Sequence, residues 1–444
     1  MAEPTRAPVA RQPIKAGDHL ILVDGSGFVF RAFFAVQTAQ RMSRRDGLPT
    51  GAVLVFCNMI WKLLQEGPTP EPGDEPTHFA VIFDYSAKTF RNEIYPEYKA
   101  HRPEPPSDLV PQFGLIRHAS RAFNLATIEQ EGWEADDIIA TYAIEANKVG
   151  AGVTIVSSDK DLMQIVRPGI TMVDTMRDQI MDAAYVREKF GVGPEKMIDL
   201  QALCGDSTDN VPGVPGIGPK TAAQLLDEFG DLETLLARAH EIKQPKRREN
   251  LIQFAEQARI SRKLVELCCE VPVEVPLDDL AVEPVDAAQA VGFFKAMEFN
   301  ALTRRVSEKI GADPDAIGPL DLVIEGWPPE GGLPAHGPDM NAPPRREASG
   351  PPGPEELKAK ADGGLSLAAL GTPHDLVDAR KKAACKPKFD TANYHCVRQL
   401  EDLQRWVAAA GERGLVAIET ETSSLNPMQA ELCGIALALE PGFA

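Results

Sequence analysis

Residues 19–24 read HLILVD, a short apolar run that ends in an aspartate and predicts a buried strand. The same pattern returns in THFAVIFD (77–84) and GVTIVSSD (152–159). Helical patterns lie between these runs, at 51–65 and 134–149. Strands that alternate with helices indicate a parallel sheet covered by helices, so we predict an α/β fold. In such a sheet the carboxyl ends of the strands share one edge, where ligands bind.

The composition narrows the classes of protein that fit the chain. A length of 444 residues is typical of about two to three domains. The formal net charge of −19 argues against a protein that coats nucleic acid through a basic surface, although an acidic pocket can hold phosphates through cations. We expect neither a membrane span nor a signal peptide, and therefore a cytoplasmic protein. The seven cysteines are scattered without a C-x-x-C pair, which argues against a disulfide framework or a zinc ribbon.

The order of patterns along the chain predicts five segments. Glycine-stopped helical patterns follow the α/β core, and a proline- and glycine-rich linker follows these helices. Residues 311–360 contain 11 prolines and 8 glycines, and no amphipathic period remains there. The segments are a disordered N-terminus (1–17), an α/β core (18–180), a helical subdomain (181–305), a flexible linker (306–395) and the truncated start of a second α/β domain (396–444).

Nine carboxylates lie where the predicted fold would bring them together, at three strand ends, one helix start and one loop. They are Asp24, Asp84, Glu134, Asp136, Asp137, Asp159, Asp161, Asp206 and Asp209. Taken singly they could be helix caps or Asx turns. Converging carboxylates repel unless cations neutralise them, and oxygen donors without nearby His or Cys favour Mg²⁺ over zinc. Two such ions suit the hydrolysis of a phosphodiester.

A loop rich in glycine and proline follows the last two of these aspartates. The sequence VPGVPGIGPKTA (211–222) places Gly213, Gly216 and Gly218 ahead of a helix that we expect to begin at Pro219. Glycines allow backbone N–H groups to approach a phosphate, the helix N-terminus attracts it, and Lys220 adds a charge. A tight turn between two helices is the alternative. There is no Walker A motif.

A basic and aromatic segment occupies residues 85–102, and its interleaved cations and rings suit frayed or single-stranded nucleic acid. A solvated surface of mixed charge is the alternative. The cations and rings are Lys88, Phe90, Arg91, Tyr95, Tyr98, Lys99 and Arg102. Arg31, in the helix after the first strand, is a further phosphate-binding candidate.

Five motifs, taken in order, resemble the 5′-nuclease domain of the bacterial DNA polymerase I family, which belongs with the flap endonucleases. They are LILVDGSGFVFRAFFA, VIFDYSAKTFRNEIYPEYKAHR, GWEADDIIATYA, VSSDKDLMQIV and GDSTDNVPGVPGIGPKTA, and they cover roughly residues 18–305. The resemblance implies a PIN-like core with a helical extension that contains a helix-hairpin-helix. It also implies a 5′→3′ exonuclease and flap endonuclease that uses two Mg²⁺ ions, with Mn²⁺ as a substitute.

The resemblance also implies roles for single residues. All nine carboxylates would be metal ligands, and Tyr98, Lys99 and Arg102 would lie near the scissile phosphate. Arg31 matches a basic position of the first motif, and the glycine loop would hold duplex DNA, with K⁺ bound at the helix-hairpin-helix. The expected partner is DNA with 5′ flaps, nicks or RNA primers, and we expect a monomer.

The tail of the chain resembles a second part of the same family. Residues 414–442 are similar to the first motif of its 3′→5′ proofreading domain, but Glu419 stands where that family has an aspartate. No polymerase motif follows, so polymerase activity is not expected of this chain. Two other classes of function remain open at this point: a non-catalytic scaffold that binds duplex DNA, and an RNA-cleaving PIN-like nuclease.

Overall fold

The computed structural model describes residues 12–37, 42–68, 76–324 and 327, together with the backbone of residues 417–422 and 432–438. The chain divides into two units, Met1–Asn341 and Ala342–Ala444. Each unit is described by itself below.

The first unit is built on a six-stranded sheet with the strand order β3-β2-β1-β4-β5-β6. The four pairings from β3 through β5 are parallel, and β6 adds an antiparallel edge. The strands are β1 (His19–Asp24), β2 (His78–Ile82), β3 (Ala126–Ile128), β4 (Gly152–Val156), β5 (Ile170–Asp174) and β6 (Gln179–Met181). The predicted α/β fold with a parallel sheet is therefore confirmed.

Helices cover both faces of this sheet, because alternate residues of each central strand point to opposite sides. In β1, Leu20 and Leu22 belong to one buried cluster, and Ile21 and Val23 belong to another. The helices of the α/β part are α1 (Gly25–Gln37), α2 (Gly51–Glu66), α3 (Phe90–Ile94), α4 (Val110–Ala122) and α5 (Ala135–Lys148). Of these, α5 packs in the first cluster, and α1, α2 and α4 pack in the second.

A run of helices follows β6, in the part of the chain that we call the helical subdomain. Its helices are α6 (Ala183–Phe190), α7 (Met197–Cys204), α8 (Pro219–Phe229), α9 (Leu232–Ala237), α10 (Pro245–Gln253) and α11 (Ala255–Val265). Two further helices, α12 (Ala287–Ala296) and α13 (Asn300–Ile310), return to the α/β part. There, Phe293 and Phe294 are completely buried in the second cluster beside Phe123.

Two segments that the sequence predicts to be irregular are instead held by the core. Residues 12–17 fall in the predicted disordered N-terminus, yet the Ile14 N–H donates to Asp278 Oδ1 at 3.3 Å and the Gly17 N–H donates to the Gly150 carbonyl at 3.3 Å. Residues 306–324 fall in the predicted linker, yet α13 runs to Ile310. Beyond it, Leu320 packs on the second cluster. In residues 306–324, apolar contacts with the core order the chain despite its proline and glycine content. The predictions for residues 1–11 and 328–395 lie outside the described residues.

The second unit contains two described strands, β7 (Ala417–Thr422) and β8 (Leu432–Ala438), which pair antiparallel. Both strands lie in the segment predicted to begin a second α/β domain (396–444). The other residues of that segment lie outside the described residues. Among the described helices of the chain, none is long and apolar enough to cross a membrane. Within the described part of the chain, Cys57, Cys204, Cys268 and Cys269 are free thiols.

Candidate metal centre and nucleic-acid interface

Carboxylates from neighbouring strands meet at the carboxyl edge of the sheet. Asp24 is the last residue of β1, and Asp159 follows β4, its parallel neighbour. Asp136 lies in the first turn of α5. One oxygen from each of Asp136, Asp159 and Asp161 lies within 4.8 Å of the others. We call these three residues the three-aspartate cluster. The parallel pairing of distant segments explains why acids far apart in the sequence converge.

Local hydrogen bonds fix the three-aspartate cluster. The Asp161 N–H donates to Asp159 Oδ1 at 3.0 Å, so the loop after β4 folds back on its own aspartate. From α7, Gln201 Nε2 donates to Asp161 Oδ1. The Gln201 side chain is 2 % exposed, and its Oε1 has no hydrogen-bond partner among the described residues. The helical subdomain thus holds one metal-site oxygen in place.

Asp24 and Asp84 connect the strand ends to the adjacent backbone. Asp24 accepts the Gly27 N–H at 2.7 Å on Oδ1 and the Ser157 hydroxyl at 2.9 Å on Oδ2. Asp84 Oδ1 accepts the Ala135 N–H at 2.9 Å, which anchors the start of α5. Asp24 therefore links the end of β1 to the segment after β4, and Asp84 links the segment after β2 to the start of α5.

Burial and mutual repulsion disfavour the charged forms of the carboxylates at this edge. Burial raises the pKa of Asp24 to about 6, and nearby Asp159 and Asp84 add to the shift. Burial and the charges of Asp159 and Asp209 raise the pKa of Asp161 to about 8. The pKa of Asp136 is raised for the same two reasons, burial and neighbouring carboxylates. The donors are all carboxylate oxygens, so the site fits a hard divalent cation.

Three further carboxylates at this edge already have cationic partners. We call Glu134, Asp206 and Asp209 the paired carboxylates. Lys99 Nζ lies 3.0 Å from Glu134 Oε1, and Arg102 contacts Asp209 Oδ1 at 2.6 Å. The basic segment thus supplies cations directly beside the three-aspartate cluster.

Tyr98 lies beneath this arrangement. Its hydroxyl donates to Glu134 Oε2 at 3.2 Å and lies 3.4 Å from Asp209 Oδ2. Burial, followed by the charges of these two carboxylates, raises the pKa of the Tyr98 hydroxyl. The phenol therefore stays protonated and orients Glu134 as a neutral donor.

Asp206 is held by both of its oxygens. Lys160 Nζ lies 2.7 Å from Oδ2, and the Thr208 N–H donates to Oδ1 at 2.8 Å. Burial acts to raise the pKa of Asp206, but the Lys160 ion pair and the Thr208 hydrogen bond outweigh it and lower the pKa. Asp206 is therefore ionised and already neutralised by a lysine.

Asp137 differs from the other eight predicted ligands. It is fully buried, and its two oxygens accept the Arg91 guanidinium at 2.7 and 2.8 Å. The Cys268 N–H also donates to Asp137 Oδ1 at 2.8 Å. Both oxygens are thus bound by the protein, and Asp137 is not among the three-aspartate cluster.

The same ion pair occupies the Arg91 side chain. The sequence suggests a DNA contact, but the Arg91 side chain is 1 % exposed. It also donates to the carbonyls of Leu264 and Glu266 at 2.7 and 3.1 Å, so it ties α3 to the end of α11. Arg91 is therefore unavailable to DNA in this structure.

The glycine loop splits into an internal and an external part. The helix after it begins at Pro219, as predicted. Gly213, for which the sequence predicts a DNA contact, is buried with φ +59°, and its N–H donates to Ser261 Oγ at 3.0 Å. Gly216, Gly218 and Lys220 are exposed at the start of α8, where a phosphate could approach.

The two remaining basic candidates lie at different places. Lys88 is exposed in the loop before α3. Arg31 is half-buried; its guanidinium contacts Asp174 Oδ1 at 3.3 Å and the Ser158 hydroxyl. Arg31 therefore lies near the loop after β4 but is already partnered.

Comparison with known proteins places the chain in a family. Residues 19–191 match the family model of the 5′-3′ exonuclease N-terminal resolvase-like domain, and residues 192–288 match the 5′-3′ exonuclease C-terminal SAM fold. A 5′-3′ exonuclease of Aquifex aeolicus (strain VF5) is 34% identical over 289 residues, which cover 65% of this chain and 95% of that protein. The chain belongs to the 5′-3′ exonuclease family.

Longer proteins are also similar to this chain. A DNA polymerase I of Rhizobium leguminosarum is 54% identical over 438 residues, 97% of this chain, but the match spans only 42% of that protein's length. Among solved structures, T5 5′-exonuclease with bound zinc has a TM-score of 0.47 and 22% identity, covering 66% of this chain and 98% of that chain.

Within this member of the 5′-3′ exonuclease family, three residues of the site were missed by the sequence reasoning. Lys160 lies between Asp159 and Asp161, so the signal was a cation inside the acidic motif itself. Ser157, which donates to Asp24, lies just ahead in the same motif. Gln201 had no local signal, because its contact with Asp161 depends on the docking of α7.

Proposed function

We propose that this chain is a Mg²⁺-dependent 5′→3′ exonuclease and structure-specific flap endonuclease that acts on DNA, as the N-terminal part of a DNA polymerase I. The observation that carries the proposal is the three-aspartate cluster, in which three carboxylate oxygens lie within 4.8 Å of one another. It lies at the strand-end edge of an α/β sheet, beside Lys99 and Arg102, in a chain of the 5′-3′ exonuclease family.

The residues divide into two metal positions. The three-aspartate cluster would hold one ion, and Asp206 and Asp209 would contribute to a second, with Mn²⁺ as a substitute for Mg²⁺. Two such ions supply an activated water and stabilise the leaving oxygen of a phosphodiester. Asp24 and Asp84 would orient water around the ions from strand ends that their hydrogen bonds already fix.

Lys99 and Arg102 would bind the phosphate that is cut. Both lie beside the paired carboxylates, and the Arg102 side chain is 48 % exposed, so it can reach an incoming phosphate. The Lys99 side chain is 14 % exposed and lies deeper in the site, near Glu134. Tyr98 acts through Glu134, which its protonated hydroxyl orients.

Asp137 and Arg91 would have a supporting role. Asp137 follows Asp136 at the start of α5, and its ion pair with Arg91 fixes that helix end against α3 and the segment after α11. We therefore propose that Asp137 positions Asp136 and does not ligate a metal.

The surface that would hold the duplex is the start of α8. Gly216 and Gly218 expose backbone there, Lys220 adds a charge, and the helix N-terminus attracts phosphate. Such contacts ignore base identity, which suits recognition of 5′ flaps, nicks and RNA primers by shape. A K⁺ ion bound in this loop would strengthen the phosphate contact, and Lys88 would add a contact for the unpaired strand. We also propose a monomeric, cytoplasmic protein.

The test is cleavage of a 5′-flap DNA duplex by the purified full chain, with Mg²⁺ and with EDTA. We expect cutting only with Mg²⁺ and none by Asp136→Asn, which removes a charge from the three-aspartate cluster. Asp321→Asn is the matched control, because Asp321 is exposed in the segment after α13. Flap binding should persist in Asp136→Asn, measured with Ca²⁺ in place of Mg²⁺.

Three results would contradict the proposal in different ways. Flap binding without any cutting by the unaltered chain would indicate a scaffold. Faster cutting of single-stranded RNA than of flap DNA would indicate an RNA-cleaving nuclease. Cutting by Asp136→Asn at the unaltered rate would remove the three-aspartate cluster from the mechanism.

A further inference from the structure

Positive charge is distributed unequally over the acidic edge. Within the described part of the chain, no lysine or arginine forms an ion pair with the three-aspartate cluster. In contrast, each of the paired carboxylates contacts at least one cation: Lys99 for Glu134, Lys99 and Arg102 for Asp209, and Lys160 for Asp206. A metal ion would therefore meet carboxylates without an ion-pair partner at the three-aspartate cluster, but it would have to displace a cation at the paired carboxylates.

Lys160 has an unusual place in this distribution. It lies in the sequence between two members of the three-aspartate cluster, yet its ion pair is with Asp206, which is 46 residues farther along the chain. Its Nζ contacts Asp206 Oδ2 at 2.7 Å, and the other Asp206 oxygen accepts the Thr208 N–H. A metal ion that binds Asp206 must therefore compete with this ion pair.

The ion pair between Lys160 and Asp206 can be broken and replaced by another cation. The lysine side chain is 35 % exposed and makes one contact through a compact charge on a flexible stem. It can move into solvent without disturbing the core. The buried Arg91–Asp137 pair, by comparison, is bidentate and inaccessible, so no metal can displace Arg91 without breaking the fold locally.

We propose that Lys160 is an internal counter-ion of Asp206 that the second divalent cation must displace, so that the three-aspartate cluster binds metal first and Asp206 binds metal second. The inference rests on the proposed two-metal function and adds the order of binding and the residue that sets it. Once displaced, Lys160 carries its charge to the mouth of the site, where it can meet a phosphate. Metal binding at Asp206 would then also release the positive charge of Lys160 for contact with a phosphate.

The test is a Mn²⁺ titration of the full chain, with free Mn²⁺ measured by electron paramagnetic resonance. We expect two binding steps in the unaltered chain. Lys160→Gln should tighten the second step by about 1.4- to 5-fold, the range expected for removal of a partly exposed competing ion pair. The first step should change by much less. Lys160→Arg, which keeps a cation, should leave the second step weaker than in Lys160→Gln.

Two controls separate local competition from overall charge. Lys309→Gln removes one exposed positive charge from α13 and should leave both steps unchanged. In an Asp206→Asn background, Lys160→Gln should no longer tighten the weaker step, because its partner is gone.

The outcomes distinguish this inference from the proposed function. Equal tightening of both steps by Lys160→Gln, or no change in the second step, would overturn the role of Lys160 while leaving the metal centre intact. A chain that binds no Mn²⁺ at all would overturn the metal-dependent function as well.

Discussion

The buried ion pair between Arg91 and Asp137 gives the sharpest prediction about stability. Both side chains are shielded, at 1 % and 0 % exposure, and the guanidinium makes two short contacts with the carboxylate. Arg91→Met removes one partner and leaves Asp137 buried without a counter-charge. Breaking a buried pair in this way costs about 3–5 kcal/mol, a large part of the ~5–15 kcal/mol that stabilises a typical domain.

The assay is urea unfolding of the full chain, followed by tryptophan fluorescence and circular dichroism. Arg102→Met is the matched control: it removes the same kind of ion pair, but Arg102 is 48 % exposed, so the expected loss is at most about 1 kcal/mol. The double variant Arg91→Met/Asp137→Asn should recover part of the loss, because no unpaired charge remains. If Arg91→Met lowered the free energy of unfolding by less than about 1 kcal/mol and also weakened flap binding, the structural role would be refuted. Arg91 would then again be a candidate DNA contact.

Three further predictions follow. Without metal, the raised pKa values of Asp24 (about 6) and Asp161 (about 8) mean that the folded state binds more protons than the unfolded state. Their stabilising effect is therefore fully present below pH 4 and is lost as pH rises to 8; melting temperatures in EDTA should show this slope between pH 5 and 8, and saturating Mg²⁺ should reduce it. Gly213→Ala should destabilise the fold by more than about 1 kcal/mol, because a Cβ there lies 2.4 Å from the Gly205 nitrogen at a positive φ, whereas Gly218→Ala, which meets nothing within 4 Å, should be nearly neutral in urea unfolding. Truncation after residue 305 should lower the urea midpoint relative to truncation after residue 327, since it removes part of α13 and the packing of Leu320; equal midpoints would show that this segment adds no stability.

Much of the fold followed from a simple pattern, the apolar run that ends in an aspartate. It appears at Asp24, Asp84 and Asp159. The pattern can be recognised locally, because the apolar strand and the polar residue at its end are consecutive in the sequence. The parallel order of β2, β1 and β4 then brings those ends to one edge. The convergence of the carboxylates could be predicted because it needs only the topology.

The assignment of partners within the site could not be predicted in this way. Arg91 looked like a DNA contact because its neighbours are basic and aromatic, but its partner Asp137 lies 46 positions away, on another helix. Gly213 looked like its neighbours Gly216 and Gly218, but only the docking of α11 buries it against Ser261. Both outcomes depend on tertiary packing, which a local pattern does not contain.

The exposure of each ion pair separates the fixed part of this site from the part that can change. Arg91 and Asp137 are sealed, so their pair holds the start of α5 whether or not metal or DNA is present. Lys160 and Arg102 are partly exposed, at 35 % and 48 %, and each makes its contact with a carboxylate that a metal could take. A chain with a net charge of −19 would otherwise repel a phosphate backbone. A cation that pairs with a carboxylate until metal arrives would resolve that conflict, because a metal ion that binds Asp206 would free Lys160 for the DNA.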